Sequence, residues 1–201
     1  MSLIKSSAVN IYIMKWSGSA FNLVSTIDNY ETLTFNRSLF NIGTFSFDML
    51  ADSLQNQFVE VDNFIIVSDS FASTSYRVGI IQTVDRSISE DSKKVLHVEG
   101  QEAKTILSYR YVDPGTSARY TASAVFESAV KALVNSQAGS TATDANRVFP
   151  GFSVAATQGR GSTYAFSERW SNLSEAVQKG CIATETGYTI YWAGAGMVFD
   201  T

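Results

Sequence analysis

The sequence contains one cysteine, Cys181, and one histidine, His97, in 201 residues. A single cysteine excludes an internal disulfide. Zinc needs three or four His, Cys or carboxylate ligands, and a single His with a single Cys nearly excludes an ordinary zinc site. Charged residues make up only 17%, against about 25% in typical globular proteins. This shortage of charge predicts that part of the surface contacts a partner subunit instead of water.

Long apolar runs and strongly basic stretches are also missing. No run approaches the roughly 18 apolar residues that a membrane span requires. The first fifteen residues lack the apolar block and cleavage site of a signal peptide, so we expect synthesis in the cytoplasm. The net charge is −4, and the longest basic run, Lys93-Lys94, directly follows Glu90-Asp91. Nucleic-acid-binding surfaces usually carry a basic stripe, so no specific nucleic-acid binding is predicted.

Apolar residues alternate with polar ones through the first hundred positions, which is typical of strands with one face on a core. We predict strands within residues 9–14, 33–36 and 44–49. The unbroken run of residues 64–67 predicts a central strand. A hairpin is predicted with strands at 76–88 and 93–99 and a turn at 89–92, in which Leu96 and Val98 share one face. Short helices are expected at 48–54 and 101–108.

Strands joined by short turns form antiparallel sheets, and closing such a sheet leaves few free edges. The sequence therefore predicts a β-rich α+β protein. Residues 1–110 form an antiparallel domain that is barrel-like or strongly bent, and residues 111–201 form an α+β domain.

The second part of the chain has helical spacing. Residues 113–115, Asp-Pro-Gly, predict a turn, and residues 121–137 predict a helix. A second helix is expected to begin at Ser171 or Asn172, because Asn172 and the glutamate three positions later have the spacing of a capping box. Gly187 is expected to end it. The other predictions are a short strand within 148–155, a mobile glycine-rich segment at 158–162, and a hairpin of 188–192 with 197–201.

Few residues suggest chemistry. A Ser-His-Asp triad would have to use His97, whose position beside Glu99 in a strand predicts a half-exposed histidine instead. The Gly100 to Thr105 segment lacks the glycines of a phosphate loop. Tyr188, Ile190 and Trp192 would share one strand face, a pattern found more often in cores than in sugar-binding platforms. Cys181 is expected to be packed and inert. No catalytic, cofactor-binding or metal-binding residue is predicted.

Several segments, in order along the chain, resemble siphophage and prophage tail-hub proteins, which are baseplate-hub or tail-tip proteins with tube-like β domains. The segment 33–38 followed by Gly43-Thr-Phe-Ser-Phe resembles their opening hairpin, with an arginine and a Gly-x-Phe before an alternating strand. Gly79-Ile-Ile together with residues 95–100 resembles their next hairpin, and residues 107–110 resemble the end of the helix that follows it. Residues 172–176, with 186–188 and 197–199, resemble the helix and hairpin of their second domain.

The resemblance implies a structural component of a phage tail, located in the virion and made in the bacterial cytoplasm. It implies a homo-oligomeric ring, a trimer, that joins the tail tube to tip or fibre proteins and has no enzymatic activity or cofactor. Proteins of this kind usually continue further, which predicts that the 111–201 domain is incomplete and the chain truncated. A carbohydrate- or receptor-binding module of a tail tip is the alternative, and a small hydrolase built around His97 is a third hypothesis.

Overall fold

A computed structural model describes residues 9–68, 76–88 and 93–201, so the turn predicted at 89–92 lies outside the described residues. The described chain is a β-rich α+β protein, as predicted. It divides into two compact units, and the main division falls after Glu102, whereas the sequence predicts it at residue 110. Unit 1 comprises Met1–Arg37, Gly43–Glu102 and Trp192–Gly194, and unit 2 comprises Ser38–Ile42, Ala103–Tyr191 and Ala195–Thr201.

Unit 1 is built on seven antiparallel strands. They are β1 (Asn10–Trp16), β2 (Phe21–Ile27), β3 (Tyr30–Asn36), β4 (Thr44–Leu50), β5 (Phe64–Ser68), β6 (Tyr76–Ile88) and β7 (Lys94–Glu102). Their order in the sheet is β2-β1-β5-β6-β7-β4-β3. The sequence analysis missed β2, and it predicted the central place of β5 correctly.

The sheet of unit 1 is open, so the predicted barrel closure is wrong for the described residues. Strands β2 and β3 are its two edges, and each has one partner strand among those described. Only Asp28 and Asn29 separate the ends of these strands, so the Cα atoms of Ile27 and Tyr30 lie at most about 11 Å apart. The Tyr30 hydroxyl also donates to the carbonyl oxygen of Val9, just before β1, at 2.9 Å. Sheet curvature thus brings the two edges together at one corner without pairing them.

The inner face of the curved sheet carries the apolar side chains that alternate in the sequence. The face of β7 with Leu96 and Val98 is buried, as predicted, while His97 is only partly buried. The core cluster consists of Ile11, Ile13, Ile27, Phe45, Phe47, Met49, Val59, Ile65, Val67, Ile81, Leu96 and Val98. Since burial of each aliphatic or Phe side chain contributes about 1.5–3 kcal/mol, this cluster is the main source of stability in unit 1.

Two glycines make room for one ring of this core. A Cβ atom on Gly79 would lie 2.5 Å from Cε1 of Phe45, and one on Gly100 would lie 2.4 Å from Cζ of the same ring and 2.1 Å from the oxygen of Ile80. The Phe45 ring also stacks on Phe35, with centroids 5.9 Å apart. Strands β6 and β7 therefore need glycine where the ring crosses them.

Two short helices expected in the first part of the chain differ from the prediction. The helix at 48–54 is wrong, because strand β4 continues to Leu50 and a 3₁₀ helix follows only at Leu54–Phe58. The helix at 101–108 is a 3₁₀ helix at Ala103–Tyr109, and it belongs to unit 2. Its residues Ala103, Ile106 and Leu107 are buried.

Unit 2 combines two helices with short strands. Its elements are β8 (Tyr120–Val125), α1 (Phe126–Ala138), β9 (Phe152–Val154), β10 (Thr163–Glu168), α2 (Leu173–Thr184), β11 (Thr189–Ala193) and β12 (Gly196–Asp200), with a 3₁₀ turn at Ala145–Arg147. Strand β8 pairs with β10 in antiparallel register, and β12 pairs with β9 in parallel register. The predicted hairpin of β11 and β12 is present.

The helix predicted at 121–137 begins later, at Phe126. Residues Tyr120–Val125 form β8 because they pair with Thr163–Glu168, and this distant partner overrides the local helical spacing. Helix α2 begins as predicted, with Asn172 as its N-cap accepting the amide hydrogen of Ser174 at 2.9 Å. It ends before Gly187, because Glu185 has a φ of 53° and its left-handed conformation terminates the helix.

We predict that Gly79→Ala lowers the free energy of unfolding by about 1–3 kcal/mol, because overpacking a tight core costs this much. The added methyl group must displace the Phe45 ring. Denaturant unfolding of Gly79→Ala, Phe45→Leu and the double variant measures the coupling between the two sites. The smaller leucine is expected to reduce the loss of unfolding free energy that the alanine causes. Strictly additive effects would show that the Phe45 ring is not the reason why position 79 requires glycine.

Candidate functional site

The outer face of the β3-β4-β7 sheet carries a polar cluster around the only histidine. Nδ1 of His97 lies 2.5 Å from Oδ1 of Asp48, and Nε2 lies 3.1 Å from Oε1 of Glu99. The Thr32 hydroxyl donates to the other oxygen of Asp48 at 2.6 Å. The register pairs Thr32 with Asp48 and Asp48 with His97, so the cluster follows from strand pairing alone.

Both ring nitrogens of His97 contact carboxylates, and this arrangement stabilises the protonated imidazole. Hydrogen bonds to Asp48 and then Glu99 raise the pKa of His97 above its ordinary 6.5. Partial burial tends to raise the pKa of Asp48, but the hydrogen bonds from Thr32 and His97 outweigh it and lower that pKa. In a catalytic triad one imidazole nitrogen must accept the proton of a nucleophile. Here the hydroxyl bonds the carboxylate, so the cluster lacks the geometry of the hydrolase hypothesis.

A second charged cluster lies inside unit 2 and was missed by the sequence analysis. The carboxylate of Glu127, at the start of α1, is fully buried. Its oxygens accept hydrogen bonds from Nζ of Lys131 at 2.6 Å and from Nη2 of Arg160 at 2.8 Å. Asp200 lies 2.6 Å from the same two cations. Two carboxylates thus balance two cations. The four-residue spacing of Glu127 and Lys131 on one helix face was the signal in the sequence.

The Glu127 cluster also orders the glycine-rich segment for which the sequence predicts mobility. The other Glu127 oxygen accepts the amide hydrogens of Gln158 at 2.9 Å and Arg160 at 2.7 Å. In return, the amides of Phe126 and Glu127 donate to the carbonyl oxygens of Ser162 and Arg160. The segment is therefore tied to the first turn of α1 by hydrogen bonds in both directions.

The aromatic residues considered for a sugar platform divide between core and surface. Tyr188, Ile190 and Trp192 are buried, so this stripe belongs to the core. Trp170 is 55% exposed. Cys181 is fully buried, and burial raises the pKa of its thiol to about 12 in spite of the nearby Lys104 charge. Because the thiolate is the reactive form of cysteine, Cys181 has the properties of an inert packed residue.

The two edge strands of the unit 1 sheet, β2 and β3, are candidate binding elements, because each has one partner strand among the described residues. Strand β2, with the sequence FNLVSTI, has no charged residue and no proline, and its Leu23 is 56% exposed. Strand β3, YETLTFN, carries a single charge, Glu31. Natural edge strands are usually protected by lysine, proline or bulges against pairing with other chains. Each of these two strands has seven residues and one register shift against its partner strand, so an irregular register is present at both edges while lysine and proline are absent.

Two features are absent from residues 9–68, 76–88 and 93–201. No helix there combines the length and apolar character needed to cross a membrane. No group of three or more His, Cys, Asp or Glu side chains there could hold a metal ion.

The fold is similar to that of a solved prophage tail protein. The prophage tail protein gp18 from Listeria monocytogenes EGD-e matches with a TM-score of 0.53 at 9% identity, over 96% of this chain and 50% of gp18. A tail protein from Neisseria meningitidis MC58 has a TM-score of 0.49 at 11% identity, over 95% and 50%. The E. coli c3393 protein, a component of the type VI secretion system, has a TM-score of 0.38 at 9% identity, over 96% and 45%. The chain thus spans about half the length of these proteins.

A protein-family model matches almost the whole sequence. Residues 12–201 match the model of the Siphovirus ReqiPepy6 Gp37-like proteins, and the chain belongs to this family. The resemblance to siphophage and prophage tail proteins in the sequence is thereby confirmed. No protein of curated function matches the chain.

We predict that His97 titrates above pH 6.5 in the folded protein. A raised folded-state pKa means that its stabilising contribution is complete below the unfolded pKa, about 6.5, and is lost as the pH rises through the folded value. The side chain is 39% exposed, so the loss is expected to be below about 1 kcal/mol. The imidazole C–H signals in NMR spectra are unambiguous for a single histidine. A midpoint at or below 6.5 would contradict the prediction.

We predict that Glu127→Gln lowers the free energy of unfolding by about 3–5 kcal/mol, because it removes the buried carboxylate and leaves Asp200 as the one carboxylate in contact with both Lys131 and Arg160. Burial tends to raise the pKa of Glu127, but the hydrogen bonds from Arg160 and then Lys131 outweigh it and lower that pKa strongly. The contribution of Glu127 is therefore present above its unfolded pKa, near 4.5, and is lost as the pH falls toward the folded value.

Glu175→Gln is the matched control, since Glu175 also lies in the first turn of a helix but is exposed. It is expected to change the free energy of unfolding by less than about 0.5 kcal/mol. Denaturant unfolding at neutral and acid pH compares the two variants. Equal effects of both variants would refute a special role of the buried carboxylate.

Proposed function

We propose that the protein is a structural component of a phage or prophage tail. It acts as a hub or baseplate subunit in a homo-oligomeric ring that joins the tail tube to tip or fibre proteins. The observation that carries the proposal is the curved open sheet of unit 1, whose two edge strands contain no lysine or proline and have no second partner strand among the described residues. Family membership and the fold shared with gp18 support it. A trimer is the proposed oligomer, on the resemblance stated from the sequence.

The proposed role is non-enzymatic. The only histidine has both ring nitrogens in contact with carboxylates, and Cys181 is buried with a raised thiol pKa. In the proposed virion tail, subunits would associate through backbone hydrogen bonds between edge strands. This mode of binding adds a strand to an exposed sheet edge and needs no specific side-chain chemistry.

The test is the mass of the natural full-length protein in solution, measured by light scattering, together with lysine substitutions at the edges. Leu23→Lys on β2 and Thr34→Lys on β3 place a charge on an exposed edge position. Each is expected to shift the assembly to monomers, because lysine at an edge opposes pairing with another strand. Thermal unfolding reports whether each variant keeps its fold.

Thr44→Lys is the matched control, because Thr44 is exposed on β4, which has a neighbouring strand on both sides. It is expected to leave the oligomer intact. A natural full-length protein that remains monomeric at high concentration would refute ring assembly. An oligomer that survives both edge substitutions would show that the edges are not the interface.

A further inference from the structure

Two arginines of unit 2 are held against each other's backbone. Nε of Arg110 donates to the carbonyl oxygen of Arg147 at 3.0 Å. Nη2 of Arg147 donates to the carbonyl oxygen of Tyr111, the residue next to Arg110, and to Oε1 of Gln137 at 2.9 Å. These crossed hydrogen bonds hold each guanidinium group against the backbone at or next to the other arginine, although the two segments are far apart in the sequence.

Neither arginine forms an ion pair with any described residue. The contrast with Lys131 and Arg160 is clear, since each of those cations contacts two carboxylates. Nε of Arg147 is buried and has no hydrogen-bond partner among the described residues. Partial burial, and then the neighbouring charge of Arg147, lower the pKa of Arg110. Two adjacent positive charges therefore remain uncompensated in a protein whose net charge is −4.

Aromatic residues lie near Arg110, and a hollow lies beside Arg147, as is typical of a binding surface. Arg110 packs over the ring of Phe149 at 4.5 Å. Tyr109 and Tyr111 are 51% and 57% exposed. Beside Arg147 lies a hollow of about 170 Å³, whose other lining residues include Asp113, Tyr120, Ser136, Gln137 and Thr143. Arginine and tyrosine are enriched among the residues that dominate binding energy in protein interfaces.

We propose that Arg110 and Arg147 form a docking site for carboxylate side chains of an acidic peptide segment in a partner protein. Each guanidinium group keeps N–H groups that these hydrogen bonds do not use, and an ionised carboxylate accepts charge-assisted hydrogen bonds from such groups. The hollow beside Arg147 has room for one carboxylate group, and the exposed Tyr109 and Tyr111, which flank Arg110 in the sequence, offer contact area to the rest of the peptide. One carboxylate of the protein, Asp113, already lines the hollow, but it accepts the amide hydrogen of Gly115 at 2.8 Å and leaves both arginines unpaired.

A peptide fits this site better than a nucleic acid does. Proteins that bind nucleic-acid backbones neutralise several phosphates with a row of cations. Here only two cations lie together, and the negative net charge of the protein repels a polyphosphate chain. Two carboxylates of a short acidic peptide balance the charges of the two arginines, and no longer basic surface is needed.

The experiment is a titration of the ¹⁵N-labelled protein with capped hexaglutamate, followed by NMR. The Nε–H signals of Arg110 and Arg147 and the amide signal of Gly115 are expected to shift together and to saturate. Arg110→Gln and Arg147→Gln are each expected to weaken binding about tenfold, the usual effect of losing a hydrogen bond to a charged group. Arg86→Gln, in unit 1, removes the same charge and is expected to leave the affinity unchanged.

Three outcomes would overturn the proposal. The first is the absence of shifts at these signals with millimolar hexaglutamate. The second is equal weakening by Arg86→Gln, which would indicate a general charge effect. The third is tighter binding of oligothymidylate than of hexaglutamate through the same arginines, which would identify a nucleic-acid site. The mapping uses the wild-type protein, so it remains decisive if Arg147→Gln does not fold.

Discussion

The two-residue link between β2 and β3 is the constraint on which unit 1 depends. These strands are the two edges of a seven-stranded sheet, yet only Asp28 and Asn29 lie between them. A flat sheet of seven strands would separate its edges by nearly 30 Å, since neighbouring strands lie about 4.8 Å apart. The sheet must therefore curve, and register shifts in β1, β3 and β6 supply the local bends. Curvature in turn encloses the core and leaves the edge strands unpaired.

The sequence predicts most strands of unit 1 because their alternation is local and strong, but closure depends on long-range geometry. Period two assigns faces to strands, and it does not say whether the first and last strands of a sheet pair. The missed strand β2 alternates poorly, because its residues at 22 and 23 are exposed and only Ile27 is fully buried. In unit 2, residues 120–125 have helical spacing but pair with β10, a partner that no local pattern reveals.

The candidate sites show the same division between local and distant information. The spacing of Glu127 and Lys131 is visible in the sequence, whereas Arg160 and Asp200 join them only through the fold. The crossed hydrogen bonds of Arg110 and Arg147 likewise connect segments more than thirty positions apart. The sequence did predict the strand position of His97 beside Glu99, but not its contact with Asp48 on a neighbouring strand.

Unit 2 contains two kinds of charged group: a paired cluster that stabilises the fold, and two arginines that we propose bind a partner. Burying a charge is costly unless it is paired, and the cluster around Glu127 meets this requirement with two cations and two carboxylates in direct contact. Arg110 and Arg147 do not follow the rule, because carbonyl oxygens hold them while their charges stay uncompensated. In a chain with few charged residues, two arginines without an ion-pair partner among the described residues indicate a binding role. Neutral backbone contacts fix the positions of the two guanidinium groups and leave their charge available to a partner.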